Sequence, residues 1–559
     1  MDSPRKVERF ASCRGVAFEI KPHADPFAIP VRAQNERQGS KRSWLPWSQG
    51  SSFKVFPYSD TIQRSVSRAS SHFCDLEDEE DENDDNMYVS IVETIEETND
   101  EEKQKPLPLH LPISGSKREQ QPARPTKPKP SRLSVILLDQ GLFTVYKRLF
   151  VVCLTLNITG LALAASDHFP YAKRKATLFS IANIFALTLC RSEAFLRVVF
   201  WLAVEVLGHS WVPLRLKTAT TSFLQCIGGI HSGCGLSSIA WLIYSLKLTL
   251  KDRENTSSDI IALASTILAL LCLSSLAAFP LVRHLHHNIF ERTHRFAGWS
   301  ALALLWAFVL LEISYDPISK SYDNEFGSRV VKSQEFWFTL AITVLIILPW
   351  VTVRRVPVKI SAPSGHASII KFQGGVKSGI LGRISPSPLS EWHAFGIISD
   401  DKTEHMMLAG AVGDFTKSLV ANPPSHLWVR AVHFAGLPYL VNMYDRVVLV
   451  ATGSGICVFL SFLLQPSKAD VCVVWVAKGI EQNFGKEIKE WMSGHPKEKV
   501  IVHDTAVLGR PNVSQLSIDA AKNWKAQVVI VTSNPEGSRD VVNACKGAGI
   551  AAFGPIWDS

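Results

Sequence analysis

Long apolar segments fill the middle of the chain, and six of them have the length and apolarity of membrane spans. They are 146–165, 176–206, 219–246, 260–282, 296–313 and 336–353. Arg191, Glu193 and Arg197 interrupt the second segment, so a separate interfacial helix over 195–207 is an alternative there. The pattern therefore predicts an α-helical membrane bundle of about six spans.

The pattern changes after Val356 to short apolar runs separated by Gly, Pro and Ser, such as Ala367–Phe372 and Leu427–Val432. Such runs predict short antiparallel strands, closed into a small barrel. After Tyr444, apolar strand-like runs alternate with helical patterns such as 484–492 and 515–524, which is typical of βαβ units and a parallel sheet. The predicted strands are Val447–Ala451, Val471–Ala477, Val500–His503 and Val528–Thr532.

The region before the apolar segments, residues 1–135, is polar and charged, and we expect it to be disordered. A dense acidic run between Asp75 and Glu102 repels itself and cannot bury a core. The basic, proline-rich stretch from Lys103 to Arg132 predicts a linker against anionic lipid headgroups, with a solvated tether as the alternative. Membrane lipid is therefore an expected partner, and no nucleic-acid partner is expected.

Cationic residues between the spans predict the orientation of the bundle. Arg215 and Lys217, then Arg283 to Arg295, and then Arg354 to Lys359 all fall at one predicted side. By the positive-inside rule that side is cytoplasmic, which places both termini in the cytoplasm of a protein in the plasma membrane or an endomembrane. The cluster Lys173–Lys175 contradicts this orientation because it lies in the first outer loop.

The apolar run Val447–Ala451 leads into Gly453, Ser454 and Gly455. A strand, a glycine turn and a following helix form the context in which a backbone approaches a dinucleotide pyrophosphate. The alternative is an ordinary tight turn between a strand and a helix.

His231 and His294 lie near the predicted cytoplasmic ends of the third and fifth spans. Two imidazoles at one depth can ligate a haem axially, and Gly228, Gly229 and Gly233 would leave room for its ring. The alternative is that each His lies in the headgroup layer or bonds a loop carbonyl. Ten scattered cysteines without a C-x-x-C pair argue against a disulfide scaffold or a zinc ribbon.

From about residue 140 the chain resembles membrane oxidoreductases of the ferric reductase and NADPH oxidase superfamily, in particular the fungal TmpA-like integral membrane flavoproteins. The resemblance rests on four motifs in order: Glu391–Ile397, Gly413–Thr416, Gly453–Ile456 and the tail Phe553–Ser559. It implies a ferredoxin-reductase-like module after the bundle. The implied regions are a bundle at 140–354, an FAD-binding β-barrel at 355–443 and an NAD(P)H-binding α/β domain at 444–559.

The resemblance also implies flavin roles. His393 would lie by the FAD phosphates or ribose, and Phe395 would pack on the isoalloxazine ring. Gly396 stands where the family has Ser or Thr near flavin N5, so only its backbone N–H can serve there. Gly413 and Thr416 would form the flavin pyrophosphate loop. The alternatives are a barrel-strand His, a core Phe and a plain turn before a helix.

For the nicotinamide nucleotide, the resemblance implies that Gly453, Ser454 and Gly455 cradle the pyrophosphate. Lys478 would pair with a 2′-phosphate, unless it is simply solvated. Asn534 lies in the turn that the family places beside the nicotinamide, although the usual Cys is replaced here. Trp557 would shield the flavin ring, or anchor the tail instead.

The haem pattern departs from the family, which carries a second His pair nearer the outer surface. The corresponding positions hold Tyr244-Ser245 and Trp306-Ala307. We therefore expect an NAD(P)H-dependent flavin oxidoreductase with at most one haem b, held by His231 and His294, and an unidentified cytoplasmic or membrane acceptor. The alternative is a catalytically degenerate, membrane-anchored nucleotide-sensing or scaffold protein. A transporter is disfavoured because few polar residues lie in the spans.

Overall fold

A computed structural model describes residues 9–11, 17–19, 144–279, 282–283, 287–323 and 326–555. The chain forms two compact units, Met1–Ser65 and Val66–Ser559. In the first unit the strands β1, Arg9–Ala11, and β2, Ala17–Glu19, pair in antiparallel fashion. The predicted disorder of 1–135 otherwise lies outside the described residues.

The second unit begins with helices that precede the barrel, numbered α1 to α10. They are Val145–Ala165, Pro170–Arg174, Ala176–Leu189, Glu193–Leu207, Leu214–Gln225, Gly228–Lys251, Ser258–Ala277, His287–Ser314, Gly327–Lys332 and Gln334–Val351. Within the part of the chain that the structure describes, five helices are long and apolar enough to cross a membrane: α1, α6, α7, the part of α8 from Ile289, and α10. A small hairpin, β3 (Tyr315–Asp316) and β4 (Ser321–Tyr322), follows α8.

The expected second and third spans are each divided in two. The second breaks at Arg191, because the Ser192 hydroxyl caps the amide of Phe195 and starts the separate helix α4. The third is interrupted at Cys226, so α6 starts only at Gly228. α3 has 14 residues, short of a membrane span, and it packs inside the bundle against α6. The prediction of six spans is therefore corrected to five helices of span length.

The barrel follows α10 directly and consists of two antiparallel sheets. Their orders are β10-β11-β7-β6 and β13-β8-β12-β5, with β9 paired to β8. The elements are β5 Val353–Pro357, β6 Lys359–Ser364, β7 Ala367–Gln373, β8 Ile380–Ser385, β9 His393–Gly396, β10 Ile398–Ser399, β11 Glu404–Gly410, α11 Asp414–Ala421, β12 His426–Arg430 and β13 Phe434–Ala435.

The last domain is a parallel five-stranded sheet with the order β16-β15-β14-β17-β18. Its strands are β14 Arg446–Thr452, β15 Asp470–Ala477, β16 Val500–Asp504, β17 Val528–Thr532 and β18 Ala552–Phe553. Its helices are α12 Ser461–Leu464, α13 Ile480–Phe484, α14 Lys486–Ser493, α15 Thr505–Leu508, α16 Val513–Asn523 and α17 Pro535–Gly547. The valine-rich central strands are buried on both faces, as in other parallel sheets.

The helix predicted over 484–492 is present as α14, which starts after Gly485 because φ of +88° at that glycine ends α13. One local expectation in this domain was wrong. The glycine turn after β14 leads into a buried 3₁₀ helix, Gly453–Val458, and not into a regular α-helix. That segment packs against β9, where Gly396 lies so close to Val458 that a Cβ atom would come within 2.6 Å of it.

Candidate functional site

The structure brings His231 of α6 and His294 of α8 together, with their ring centroids 6.3 Å apart. Nδ1 of His231 lies 3.0 Å from the Leu187 carbonyl oxygen, and Nδ1 of His294 lies 3.2 Å from the Ser274 carbonyl oxygen. The Leu187 carbonyl can only accept, so Nδ1 of His231 carries the proton and its Nε2 keeps a lone pair. This is the usual arrangement of a metal-binding His whose other nitrogen is held by a carbonyl. Nδ1 of His294 lies closer to the Ser274 hydroxyl, at 2.8 Å, and a hydroxyl can donate as well as accept.

The separation of the rings suits two axial ligands of one metal. A metal–nitrogen bond of about 2 Å on each side, with the half-width of each ring, puts the centroids about 6 Å apart. Among the described residues there is no group of three or more His, Cys, Asp or Glu that could hold a metal ion by itself. The pair therefore fits a metal that brings its own equatorial ligands, as haem does.

Room for such a ring lies beside Gly235 and Gly298, each one helical turn after a histidine. A Cβ atom added at either glycine would meet nothing within 4 Å. Residues four apart share a helix face, so this space adjoins both imidazoles. The repeated His-x-x-x-Gly spacing was visible in the sequence, although the prediction did not use it.

The glycines that were predicted to make room for the haem have another role. A Cβ atom on Gly229 would overlap the Tyr146 carbonyl oxygen, and one on Gly233 would come within 2.9 Å of the Cys153 Cβ atom. Gly228 is buried next to them. These glycines let α1 pack closely on α6, so that part of the prediction is corrected.

The outer positions without His are occupied by hydrogen-bonded side chains. Tyr244 donates to the Ala164 carbonyl at 3.1 Å, and Ser245 lies 2.7 Å from the Thr177 hydroxyl. Trp306 donates to the Thr343 hydroxyl at 2.9 Å. These contacts tie neighbouring helices together at the positions where the resemblance places a second His pair.

Two sets of contacts fix the barrel to the His231 end of the bundle. Arg292 of α8 donates to Glu391 just before β9, at 2.9 Å. Glu193 of α4 binds Arg383 of β8 and, at 3.3 Å, Arg430 of β12. Burial lowers the pKa of Arg430, and the Glu193 carboxylate opposes this shift. Sequence reasoning missed this cluster because its members are far apart along the chain.

Only part of the predicted flavin set has the expected surroundings. The His393 ring stacks on Phe415 with centroids 4.6 Å apart, at the start of α11. Phe395 is fully buried. The Thr416 hydroxyl is buried and accepts hydrogen bonds from the amides of Val412 and Gly413, so both Gly413 and Thr416 are used in capping α11.

The predicted nucleotide residues gather at the carboxyl edge of the parallel sheet. The strand order reverses between β14 and β17, and ligands of open α/β sheets bind at such a switch point. Gly453 follows β14 there with φ +51°, and its carbonyl accepts a hydrogen bond of 2.9 Å from Trp475. Asn534 follows β17 and caps α17 through the amide of Gly537.

The neighbours of this edge were not predicted. The hydroxyls of Thr452 and Ser533 lie 2.8 Å apart, which joins β14 to β17 at the switch point. Ser454 is buried against Gly410 of the barrel, where a Cβ atom would come within 2.9 Å of its hydroxyl. Gly455 is buried in the same turn.

Lys478 follows β15 on the same edge, and Asp504 ends the neighbouring strand β16. The Asp504 carboxylate accepts the amides of Gly479, Ile480 and Ala506 at 2.8 to 3.0 Å. Burial works to raise the pKa of Asp504, but these hydrogen bonds outweigh it and hold the pKa below its ordinary value. Trp557 lies outside the described residues.

The fold defines a class: two antiparallel sheets and a parallel α/β sheet follow a bundle with helices of membrane-span length. Residues 437–559 match the family described as adenylate-forming reductase 03009, C-terminal domain. Adenylate-forming reductase 03009 of Coprinopsis cinerea is 35% identical over 429 residues, 76% of this chain and 41% of that protein. Adenylate-forming reductase 06235 of the same fungus is 34% identical over 76% of this chain and 41% of its own length.

The chain thus spans about two-fifths of the length of the curated relatives it matches. Among solved structures, a Malassezia yamatoensis flavohemoglobin with bound FAD and heme is 14% identical, covering 68% of this chain and 98% of its own, with a TM-score of 0.32. Plasmodium falciparum ferredoxin-NADP+ reductase with 2′P-AMP is 10% identical, covering 36% and 94%, with a TM-score of 0.28. A likeness with scores this low carries no weight by itself, and the fold rests on the strand order of the barrel and the parallel sheet. The expected membership of the TmpA-like group is not confirmed by these matches.

Proposed function

We propose that this chain is a membrane-bound oxidoreductase that takes electrons from NAD(P)H, would hold one haem b, and reduces a small-molecule acceptor. The acceptor lies in the membrane or on the side of the reductase module. The observation that carries the proposal is the pair His231 and His294, whose ring centroids are 6.3 Å apart, with Nδ1 of His231 bound to the Leu187 carbonyl and open space beside Gly235 and Gly298. A haem bound there supplies one-electron transfer at the level of the bundle nearest the barrel.

The protein's part at that level is to hold and orient. The Leu187 carbonyl keeps His231 in the tautomer that would leave Nε2 for the metal, and Ser274 orients the His294 ring through its hydroxyl and its carbonyl. Both histidines lie at the end of the bundle where Arg292 contacts Glu391 of the barrel. A second haem is not proposed, because Tyr244 and Trp306 are engaged in helix contacts at the outer positions.

NAD(P)H is proposed to bind at the switch point between Gly453 and Asn534. The N-terminus of α17, a helix of 13 residues, adds a partial positive charge at the same edge. Lys478 on the adjoining strand end is exposed, and we propose it as the partner of a 2′-phosphate. The neighbouring Asp504 carboxylate is negatively charged, as the 2′-phosphate would be. Their repulsion lowers the affinity for NADPH relative to NADH.

FAD is proposed on chemical grounds, because a hydride carries two electrons and a haem accepts one at a time. The residues present do not fit FAD in the pose that the resemblance implies. Phe395 is enclosed in the core, Gly396 abuts Val458, and the Thr416 hydroxyl is used in capping. We assign only His393 to the flavin, and we derive no step through it.

That misfit favours the second candidate function, a membrane-anchored nucleotide-binding or scaffold protein that has lost turnover. Both candidates share the fold and the nucleotide edge, and they differ in the pigments the protein retains. An absorbance spectrum of the purified full chain in mild detergent therefore separates them.

For the oxidoreductase we expect a haem Soret band and flavin bands, both of which change when NADPH is added. His231→Ala and His294→Ala should each abolish the Soret band and leave the flavin bands. His168→Ala, which removes an exposed His at the other end of the bundle, is the matched control. A folded, colourless protein that binds NADPH without oxidising it would establish the scaffold function.

A further inference from the structure

A cavity of about 200 Å³ lies between strands of both sheets of the barrel, and exposed Pro357 and Gln373 form part of its lining. Phe372, His405 and Met407 line it from one sheet, Arg383 and Val429 from the other, and His433 from the turn before β13. An apolar cavity of about 150 Å³ holds one benzene ring. This cavity therefore has room for one aromatic ring with a few small substituents.

Two imidazoles supply polar groups to the lining, beside Gln373 and Arg383. Nδ1 of His405 lies 2.6 Å from the Gly374 carbonyl oxygen, so it carries the proton and Nε2 can accept. The His405 ring stacks on Phe372 with centroids 5.0 Å apart and planes within 7°. The His433 ring stands edge-on to it at 5.8 Å. Neither ring nitrogen of His433 hydrogen-bonds to another described residue.

The lining carries one charged side chain. Burial lowers the pKa of both imidazoles, that of His433 to about 4, so both are neutral at neutral pH. Arg383 is the one charged residue of the lining, and it shares the Glu193 carboxylate with Arg430. A cationic guest would lose its hydration without meeting a carboxylate in the lining, so the walls disfavour cations and suit an uncharged guest with acceptor groups.

The cavity lies next to the membrane-facing part of the molecule. Its wall at Val356 and Pro357 comes directly after α10, a helix of span length. Two side chains of α4 hold other lining residues in place. Glu193 forms an ion pair with Arg383, and Arg197 donates a 2.9 Å hydrogen bond to the backbone carbonyl of His433. The cavity therefore adjoins the end of a helix of membrane-span length.

We propose that this cavity binds an uncharged, single-ring aromatic compound with carbonyl or hydroxyl substituents, as in simple quinones and hydroquinones. The Phe372–His405 stack gives the ring an aromatic surface, and the His433 nitrogens donate to a carbonyl or accept from a hydroxyl. The site is separate from the haem pair and the nucleotide edge, so the proposal does not depend on the proposed function.

The test measures binding of duroquinone to the full chain in detergent by calorimetry, without NADPH. Duroquinone has one ring and two carbonyls, and its four methyl groups prevent addition of the cysteine thiols. Val429→Phe should fill the cavity and abolish binding. His433→Asn should weaken binding about tenfold, the size of one hydrogen bond of about 1.4 kcal/mol. His366→Asn alters an exposed His of the same barrel and should change nothing.

Absence of duroquinone binding by the unaltered protein would overturn the proposal, and so would full affinity in His433→Asn. If circular dichroism shows that Val429→Phe does not fold, the His433→Asn result decides alone. The haem spectrum should be identical in all these variants. A failure here is thereby distinguished from a failure of the proposed oxidoreductase.

Discussion

Arg292 donates a 2.9 Å hydrogen bond to Glu391, and this contact joins the bundle to the barrel. Arg292 lies two residues before His294, and Glu391 lies two residues before His393. The Arg292 hydrogen bond holds the pKa of Glu391 below its ordinary value. The ligand helix of the proposed haem is thus fixed against the strand that carries the one residue assigned to the flavin.

Arg292→Gln should slow electron transfer to the haem without unfolding the protein. Both side chains are partly exposed, so loss of the pair should cost no more than about 1 kcal/mol of stability. Stopped-flow measurement of haem reduction by NADPH should show a slower rate, while the dithionite-reduced spectrum stays unchanged. Arg329→Gln breaks an exposed pair with Asp323 at the other end of α8 and is the control. An unaltered rate would show that this contact does not set the alignment.

Gly235→Val and Gly298→Val should each lower the haem content of the purified protein. The added side chain enters open space beside the imidazoles, so it obstructs the haem ring and disturbs little else. The pyridine haemochrome assay should show a large loss per mole of protein, at a nearly unchanged melting temperature. Gly229→Ala should do the reverse and destabilise the α1–α6 packing, because its Cβ atom meets the Tyr146 backbone. Full haem content in both valine variants would contradict the proposed position of the ring.

These positions show what sequence reasoning reached and what it did not. The strand ending at Thr452 was predicted almost to the residue, because a continuous apolar run before a glycine is a strong local signal. His231 and His294 were correctly paired in depth, because helix length fixes depth. Which helix face meets which neighbour is a tertiary property, so Gly229 was predicted to leave room for the haem although it packs against α1, and Gly235 was not singled out.

The residues predicted to bind the flavin show the same limit of sequence reasoning over a short stretch of chain. A hydroxyl three residues after a glycine suits both a diphosphate and a helix cap, and Thr416 proved to be a cap. The break at Arg191 was suspected from its charge, but the barrel contacts of Glu193 depend on strands about 190 and 237 residues further on. No local sequence pattern indicates a contact between residues so far apart along the chain.

Glu193→Gln should destabilise the junction between α4 and the barrel. Its carboxylate is 13% exposed and compensates two guanidinium groups, Arg383 and Arg430. Removing its charge leaves these cations close together and partly buried, which should cost about 2–4 kcal/mol after allowance for residual solvent access. Thermal unfolding followed by circular dichroism should show a clear drop in melting temperature. As the control, Glu481→Gln removes a carboxylate from an exposed pair with Lys489 and should leave the melting temperature unchanged. Equal effects of the two variants would show that the charge of Glu193 does not hold the junction together.

The stability of the barrel should fall as the pH is lowered from 7 to 5, in part through His433. Burial lowers the pKa of His433 to about 4 in the folded protein, below its ordinary value of 6.5. A depressed folded pKa contributes stability above the unfolded pKa, and this contribution is lost as pH falls from 6.5 towards 4. Linkage gives a loss of about 2 kcal/mol by pH 5.

Urea unfolding at pH 7 and pH 5 should show this loss in the unaltered protein and a smaller one in His433→Gln. His366→Gln, with an exposed imidazole, should keep the full pH dependence. If His433→Gln is as sensitive to acid as the unaltered protein, the His433 imidazole is not the group responsible.

The outer face of α4 should lie in the headgroup layer of the membrane. Phe200 and Val204 face the core, while Val198, Trp201 and Leu202 are 50 to 58% exposed. Trp211, just beyond the helix, is 77% exposed. An apolar helix face with Trp at its edge, next to spans and not long enough to cross, is typical of an interfacial helix.

Trp201 should therefore be quenched by lipids brominated near the headgroup when the protein is reconstituted into nanodiscs. The Trp201→Phe variant should lose part of the quenched fluorescence, because bromine quenches only rings it can touch. Trp491→Phe removes a ring of the α/β domain that packs against the protein core, and it should leave the quenched fraction intact. If Trp201→Phe removes only fluorescence that these lipids do not quench, α4 faces water, and the barrel is attached to the membrane by the spans alone.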